Sequence, residues 1–213
     1  LTHKPNYLAE VQLEFFFCTV LTVRDPAGHF HHQAGFYWNQ RWQTRFPTTF
    51  TTAHGVVTPH PRTVAVPAGV NDMLESKLLE AMTIPMPDTK ARTLSRSALD
   101  RLKAFIADRT AVAIGPGLST HPETVELVQA LMKDLDRPAV LDADALNALA
   151  GRASVLTACK TPPILTPHPG EMARLLGVPK EEVVEDPVKA IRMAVEKTHA
   201  TVLLKGAATL IAS

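Results

Sequence analysis

The chain has 213 residues, enough to bury a sizeable hydrophobic core within one domain. Its hydrophobic fraction of 46% is ordinary for a globular protein, and its net charge of +1 gives no reason to expect nucleic acid or an acidic membrane surface as a partner. The two cysteines, Cys18 and Cys159, are too few for a disulfide framework, and no apolar run reaches the roughly 20 residues of a membrane span. We therefore expect a cytoplasmic protein.

The composition changes sharply near residue 62. Both tryptophans, both tyrosines and every phenylalanine except Phe105 precede Thr63. This first segment has no sustained hydrophobic period, so we expect irregular chain apart from one strand within residues 10–23 and a turn over residues 25–28. We leave residues 1–62 unassigned and treat residues 63–213 as a separate domain.

A histidine cluster in the first segment raises the question of a metal site. It consists of His29, His31 and His32. No cysteine accompanies these residues, and their spacing matches no standard zinc pattern. Irregular chain is therefore the preferred interpretation, and we predict no metal-ligating residues in the protein.

From Thr63 onward, short apolar runs alternate with stretches of helical period. The pattern predicts strands at residues 63–66, 110–114, 139–141, 164–165, 201–204 and 209–212. It predicts helices at residues 71–82, from Ser95 or Ser97 to about 106, and at 122–134, 145–150, 170–176 and 187–198. Such alternation is typical of a parallel sheet covered on both faces. We therefore predict an α/β fold of three layers with a mainly parallel sheet.

Two carboxylates follow the predicted strand at residues 139–141. Asp142 comes directly after the strand, and Asp144 is one residue further on. Ligands of open α/β sheets bind just outside the carboxyl ends of the strands, where such carboxylates hold Mg²⁺ through water or accept hydrogen bonds from hydroxyls. A structural role as the N-cap of the next helix explains Asp144 well, whereas Asp142 is the better candidate for a site.

The loop Thr166-Pro167-His168-Pro169-Gly170-Glu171 follows the next predicted strand. Two prolines restrict the backbone on either side of His168, so its ring is presented rigidly at a strand end. The structural alternative is a stiff loop with a surface histidine and a first-turn Glu171 that interacts with the helix dipole. We favour a functional role for His168.

Two further loops contain glycine at strand ends. Gly115-Pro116-Gly117 lies between a strand and a helix, for which Thr120 is a candidate N-cap, so its backbone is able to approach a ligand or simply to turn tightly. Lys205 is followed by Gly206, Ala207, Ala208 and Thr209 between the last two strands. An ammonium and backbone amides of this kind bind phosphate, although a hairpin with a solvated lysine is the alternative.

Taken together and in order, these motifs resemble the NAD(P)H-hydrate dehydratase family of the ribokinase-like fold. The similar segments are TVAVP (63–67), KLLEAMTIPMP (77–87), AIGPGL (113–118), VLDADALNAL (140–149), ILTPHPGEMARLLG (164–177) and VLLKGAATLIA (202–212). Several spaced motifs in the family order are far more specific than any one of them.

The resemblance implies a hydro-lyase that uses ADP or ATP, with Mg²⁺, to dehydrate the S-epimer of NADH hydrate and NADPH hydrate. It also implies an NAD(P)H-hydrate epimerase as functional partner and a homo-oligomeric state. By matching position, the nucleotide is expected at Lys205, Gly206, Ala207, Ala208 and Thr209. The hydrated dinucleotide is expected at Gly115, Gly117, Asp142 and His168.

The sequence departs from the family pattern at both ends. The family begins with a strand and a Gly/Ser-rich loop, whereas residues 5–62 do not match and have a composition typical of a reading-frame error or a replaced exon. The family continues to a Gly-Asp whose aspartate is the expected catalytic base, which places that base beyond Ser213. We therefore expect a fold that is incomplete at both ends and a polypeptide that is inactive or nearly so.

Two other functions remain open at this point. A small-molecule kinase of the same fold, acting on a vitamin-precursor alcohol, would share most of these motifs. A non-catalytic nucleotide-binding fragment would share them too. The loop at residues 166–171 favours the dehydratase.

Overall fold

In a computed structural model of the chain, the described residues are 9–14, 18–24, 30–32, 50–52, 55–57, 62–78 and 81–213. The chain divides into two compact units, Leu1–Arg62 and Thr63–Ser213. Among the described residues no helix has the length and apolar character needed to cross a membrane.

The first unit contains two small antiparallel sheets. Strands β1 (Ala9–Glu14), β2 (Cys18–Arg24) and β3 (Phe30–His32) form one sheet, and β4 (Phe50–Thr52) pairs with β5 (Gly55–Val57) in the other. The single strand predicted within residues 10–23 is wrong, because the chain reverses there and its two halves pair with each other.

The predicted turn at residues 25–28 and His29 lie outside the described residues. His31 and His32 lie in β3, which pairs with β2. They therefore belong to a strand and not to the irregular chain that we expected.

The second unit is built on a five-stranded sheet in the order β12-β11-β10-β9-β8. Its strands are β8 (Val112–Ile114), β9 (Ala139–Leu141), β10 (Ile164–Leu165), β11 (Thr201–Leu204) and β12 (Leu210–Ala212). The first four are parallel, and β12 runs antiparallel to β11. The predicted α/β class and the mainly parallel sheet are confirmed.

Helices of the second unit lie before and between these strands, and those between parallel neighbours make the crossover connections. They are α1 (Asn71–Glu75), α2 (Leu99–Ala107), α3 (Pro122–Met132), α4 (Asp144–Ala148), α5 (Pro169–Leu176), α6 (Lys180–Glu185) and α7 (Pro187–Thr198). The predicted N-cap of α2 is confirmed in part, because the Ser95 side chain accepts the backbone N–H of Ser97 at the short 3-10 turn that leads into the helix. Gly177 ends α5 in the left-handed conformation, with a φ of 77°.

Side chains of the sheet alternate between its two faces. Leu141, Leu165 and Val202 are neighbours on β9, β10 and β11 and are 0% exposed. Val140 and Ile164 point to the opposite face, where they are 37% and 39% exposed. The core therefore lies between one face of the sheet and the helices.

The predicted helix at residues 71–82 is wrong beyond Glu75. Residues Ala81–Met86 instead form strand β7, which pairs with β6 (Arg62–Pro67) in a two-stranded sheet. Met73 and Met82, two of the apolar residues that follow a helical period in this segment, are 54% and 56% exposed. Their spacing therefore did not report a buried stripe.

Two predicted N-caps are also wrong. His121 occupies the N-cap of α3 in place of Thr120, and Ala143 occupies the N-cap of α4 in place of Asp144. Neither residue forms a side-chain cap bond. Helix α6 and a 3-10 turn at Ala153–Ala158 were not predicted from the sequence.

Gly115 is required by a close approach between two strand ends. It has a φ of 147°, and a Cβ at this position would lie 1.7 Å from the backbone oxygen of Asp142. We expect Gly115→Ala to lower the free energy of unfolding by about 3 kcal/mol or more, because the backbone of β8 or β9 would have to move. Urea denaturation measures the change.

Gly151→Ala is the matched control, because Gly151 also has a positive φ of 67° but a Cβ added to it would have no atom within 4 Å. Backbone strain alone costs about 1–2 kcal/mol there. Equal losses for the two variants would contradict the importance of the contact between Gly115 and Asp142.

Candidate functional site

Three parallel strands end beside one another, and each is followed by a residue whose side chain can bind a ligand or transfer a proton. Asp142 follows β9, His168 lies three residues beyond β10, and Lys205 follows β11. Backbone hydrogen bonds continue past the strands, from Lys205 N–H to the Pro167 carbonyl (2.8 Å) and from Thr166 N–H to the Leu141 carbonyl (3.1 Å). The three loops therefore lie at one edge of the sheet.

The Lys205 ammonium lies between two carboxylates. Its Nζ is 2.7 Å from Oδ1 of Asp142 and 3.8 Å from Oε2 of Glu171. The Lys205 side chain is 16% exposed, and those of Asp142 and Glu171 are 31% and 7% exposed. A partly buried ammonium of this kind needs opposite charge nearby, and the two carboxylates supply it. The alternative prediction is right about the hairpin, because β12 pairs antiparallel with β11, and wrong about a solvated lysine.

His168 is the N-cap residue of α5. Its Nδ1 accepts the backbone N–H groups of Gly170 (2.9 Å) and Glu171 (3.3 Å). The Glu171 carboxylate accepts the His168 backbone N–H at 2.8 Å and lies 3.3 Å from His168 Nε2. These reciprocal bonds form a capping box. They orient the imidazole, whose side chain is 36% exposed and therefore accessible to a ligand.

The turn after β8 approaches the same strand ends. Gly115 packs against the Asp142 backbone, and this contact explains why the position is a glycine without any need for a ligand. Gly117 has a φ of 78°, and a Cβ added to it would have no atom within 4 Å, so it borders open space. Of the two glycines predicted to contact the dinucleotide, Gly117 is the one whose surroundings leave room for it.

Asp144 ties this turn to α4. Its Oδ2 accepts the backbone N–H of Ser119 at 2.9 Å, and its Oδ1 accepts the side-chain amide of Asn147 at 3.2 Å. The side-chain oxygen Oδ1 of Asn147 in turn accepts the Nε–H of Arg174 at 2.9 Å. Sequence reasoning missed Ser119, Asn147 and Arg174, although the spacing of Asp144 and Asn147 is one at which helical side chains interact.

The segment after Lys205 forms an exposed bend between β11 and β12. Gly206, Ala207 and Ala208 are exposed, and Thr209 is half-buried. No described residue accepts a backbone N–H from positions 206–208. These amides are therefore open, and open backbone amides are the donors that backbone anion sites use.

No group of metal ligands is found at this site among the described residues, and the residues with a shifted pKa lie elsewhere. Among the described residues, no group of three or more His, Cys, Asp or Glu side chains is placed to hold a metal ion. The Lys103 ammonium, which donates a hydrogen bond to Asp134, lowers the pKa of that carboxyl, and burial raises the pKa of the Cys159 thiol. Neither residue belongs to the cluster around Lys205.

Comparison with known proteins gives consistent matches. A model of the NAD(P)H-hydrate dehydratase family matches residues 62–213. The bifunctional NAD(P)H-hydrate repair enzyme Nnr of Moorella thermoacetica is 50% identical over 150 residues, which are 70% of this chain and 28% of that protein. The ADP-dependent (S)-NAD(P)H-hydrate dehydratase of Neisseria meningitidis is 44% identical over 110 residues, which are 50% of this chain and 37% of that protein.

Solved structures agree with these matches. The ADP/ATP-dependent NAD(P)H-hydrate dehydratase of Bacillus subtilis, co-crystallised with ATP and Mg²⁺, has a TM-score of 0.53 and 27% identity, over 71% of this chain and 50% of that chain. A ribokinase-like superfamily protein of Enterococcus faecalis has a TM-score of 0.54 at 19% identity, over 71% of this chain and 49% of that chain, and supports the fold alone.

The parallel sheet and its helices, together with these structures, define a ribokinase-like α/β protein. Because the family model covers most of the chain, the assignment goes further: the chain belongs to the NAD(P)H-hydrate dehydratase family. It spans about half the length of the solved relative and 28% of the Moorella protein.

Gly170 is required by the orientation of His168. A Cβ at position 170 would lie 2.9 Å from His168 Cε1 and 3.3 Å from Nδ1. We expect Gly170→Ala to push the imidazole off the helix end and to cost about 1 kcal/mol of unfolding free energy, the usual cost of a lost cap. Chemical denaturation measures the loss, and the NMR signals of the His168 ring report its displacement.

Gly206→Ala is the control, because a Cβ at position 206 would lie 3.2 Å from the Ala208 carbonyl oxygen and near no histidine atom. An unchanged His168 signal in Gly170→Ala would contradict the assigned cap.

Proposed function

We propose that the protein dehydrates the S-epimer of NADH hydrate and NADPH hydrate, with ADP or ATP as phosphoryl donor. The observation that carries this proposal is the position of Lys205: the first residue of the expected nucleotide segment lies at the strand ends beside His168, the expected substrate residue. The names of the Neisseria and Bacillus relatives describe the same reaction.

The chemistry explains why a donor site and a substrate site must adjoin. Hydroxide is a poor leaving group, so the ring hydroxyl is first phosphorylated by the donor. Phosphate then departs with the electrons of the C–O bond, and a proton is lost from the neighbouring ring carbon, which restores the dihydronicotinamide. The protein must therefore hold phosphate charge beside the ring and orient both reactants.

The residues of this chain are suited to those tasks. Lys205 would neutralise phosphate charge, and the open backbone amides of residues 206–208, with Thr209 beside them, would donate hydrogen bonds to it. Because the ammonium contacts Asp142 and Glu171, nucleotide binding would exchange part of these contacts for phosphate. His168, held by its capping box, would contact the hydrated nicotinamide together with Gly117.

Mg²⁺ fits this arrangement as a companion of the nucleotide. Mg²⁺ is commonly bound through substrate phosphates, water and one or two carboxylates, so a site does not require a complete protein cage. The partly exposed Asp142 is the candidate carboxylate in this chain. The ion would offset charge on the transferred phosphoryl group.

The wider setting of the reaction follows from the same family. The Moorella relative is named a bifunctional repair enzyme, and we propose that an NAD(P)H-hydrate epimerase activity supplies the S-epimer to this protein as well. The cytoplasmic location and the homo-oligomeric state stay predictions from the sequence. The family match favours the dehydratase over a vitamin-precursor kinase.

Nucleotide binding by the chain is the first test. Calorimetric titration with ADP and with ATP, each with Mg²⁺, should show binding that Lys205→Met weakens at least about tenfold, since hydrogen bonds to charged groups contribute about 1.5–3 kcal/mol. Lys160→Met is the control, because Lys160 lies on the loop before β10 and not at its carboxyl end. Equal affinity of wild type and Lys205→Met would contradict the assigned donor site.

Turnover is tested in the longer Moorella relative, of which this chain spans 28%. The Moorella protein is made with residues 63–213 of this chain in place of its matching 150-residue stretch. It should restore dihydronicotinamide absorbance from the S-epimer of NADH hydrate when ADP or ATP is present. Phosphorylation of vitamin-precursor alcohols, without dehydration of the hydrate, would instead support the kinase.

A further inference from the structure

Arg174 is an exposed cation beside the expected dinucleotide residues. Its Nη1 lies 3.6 Å from the position that a Cβ would take at Gly170, and His168 Cε1 lies 2.9 Å from the same position. The guanidinium therefore lies next to the imidazole, over the first turn of α5. It is one helical turn from the capping box that orients His168.

A chain of hydrogen bonds fixes this guanidinium from the other side. Arg174 donates its Nε–H to Asn147, Asn147 donates to Asp144, and Asp144 accepts from the backbone of Ser119. Ser119 belongs to the same turn as Gly117 and has a positive φ of 75°. The arginine is thus anchored between His168 and the turn that contains Gly117.

The positive charge of Arg174 is not neutralised by an ion pair with any described residue. Among the described residues, no carboxylate forms an ion pair with it, and its hydrogen-bond partner is the neutral amide of Asn147. Lys205, by contrast, is shared by Asp142 and Glu171. A dinucleotide carries two or more negative charges, so its phosphates need a cation that the protein has not already neutralised.

We propose that Arg174 binds a phosphate group of the hydrated dinucleotide, with Asn147 as the positioning residue that orients its guanidinium. The proposal rests on the proposed function. An arginine whose Nε is already bound still presents two Nη groups, which donate to phosphate oxygens. The phosphate is either part of the pyrophosphate bridge, common to both substrates, or the 2′-phosphate that NADPH hydrate alone carries.

Equilibrium titration of the full chain with the S-epimers of NADH hydrate and NADPH hydrate tests the proposal. ADP and ATP are left out, so the hydrates bind without being converted. Arg174→Gln should raise the Kd at least about tenfold, since hydrogen bonds to charged groups contribute about 1.5–3 kcal/mol. A rise for both hydrates assigns the pyrophosphate, and a rise for NADPH hydrate alone assigns the 2′-phosphate.

Two further variants separate charge from orientation. Arg192→Gln removes an exposed arginine of α7 and should leave both Kd values within about twofold of wild type. Asn147→Ala keeps the charge but releases the guanidinium, and should raise the Kd by a smaller factor than Arg174→Gln. The affinity of the wild type should also fall more steeply with salt than that of Arg174→Gln.

The outcomes distinguish the two ideas. If the wild type binds the hydrates and Arg174→Gln binds them equally well, the role of Arg174 is wrong while the proposed function stands. If the wild type binds neither hydrate, the proposed function fails and the role of Arg174 fails with it.

Discussion

The ion pair between Lys205 and Asp142 is the interaction on which the site depends. It joins residues 63 positions apart in the sequence, at the ends of β11 and β9, across the intervening β10. Glu171 adds a second carboxylate and connects the ammonium to the capping box of His168. Because Lys205 and Glu171 are largely buried, leaving either charge without an opposite charge nearby would destabilise the fold. The same contacts that stabilise the fold therefore also hold the side chains of Lys205 and His168 in position.

Two close backbone approaches make this arrangement possible. Gly115 allows the ends of β8 and β9 to meet, and Gly170 allows the imidazole of His168 to lie against the first turn of α5. In both places a side chain would occupy space that the site needs for Asp142 or His168. Gly115 and Gly170 thus have structural causes, whereas Gly117 faces open space.

Local signals in the sequence predicted much of this structure. The bounds of β9, β10, β11 and α7 follow from apolar runs and from the proline and glycine residues beside them. The helix predicted through Met82 failed because apolar spacing does not reveal whether side chains are buried. The partners of Lys205 and Arg174 depend on contacts between distant segments, which no local pattern contains. The sequence accordingly indicated only a first-turn position for Glu171, although its carboxylate is also a partner of Lys205.

A double-mutant cycle on Asp142 and Lys205 measures the interaction energy of this ion pair. Unfolding free energies are measured for wild type, Asp142→Asn, Lys205→Met and the double variant. We predict a coupling energy of at least about 1.5 kcal/mol, because the pair is partly buried and exposed pairs contribute about 0.2–1 kcal/mol. A coupling energy near zero would contradict the account, since the strand ends would then be held together without the ion pair.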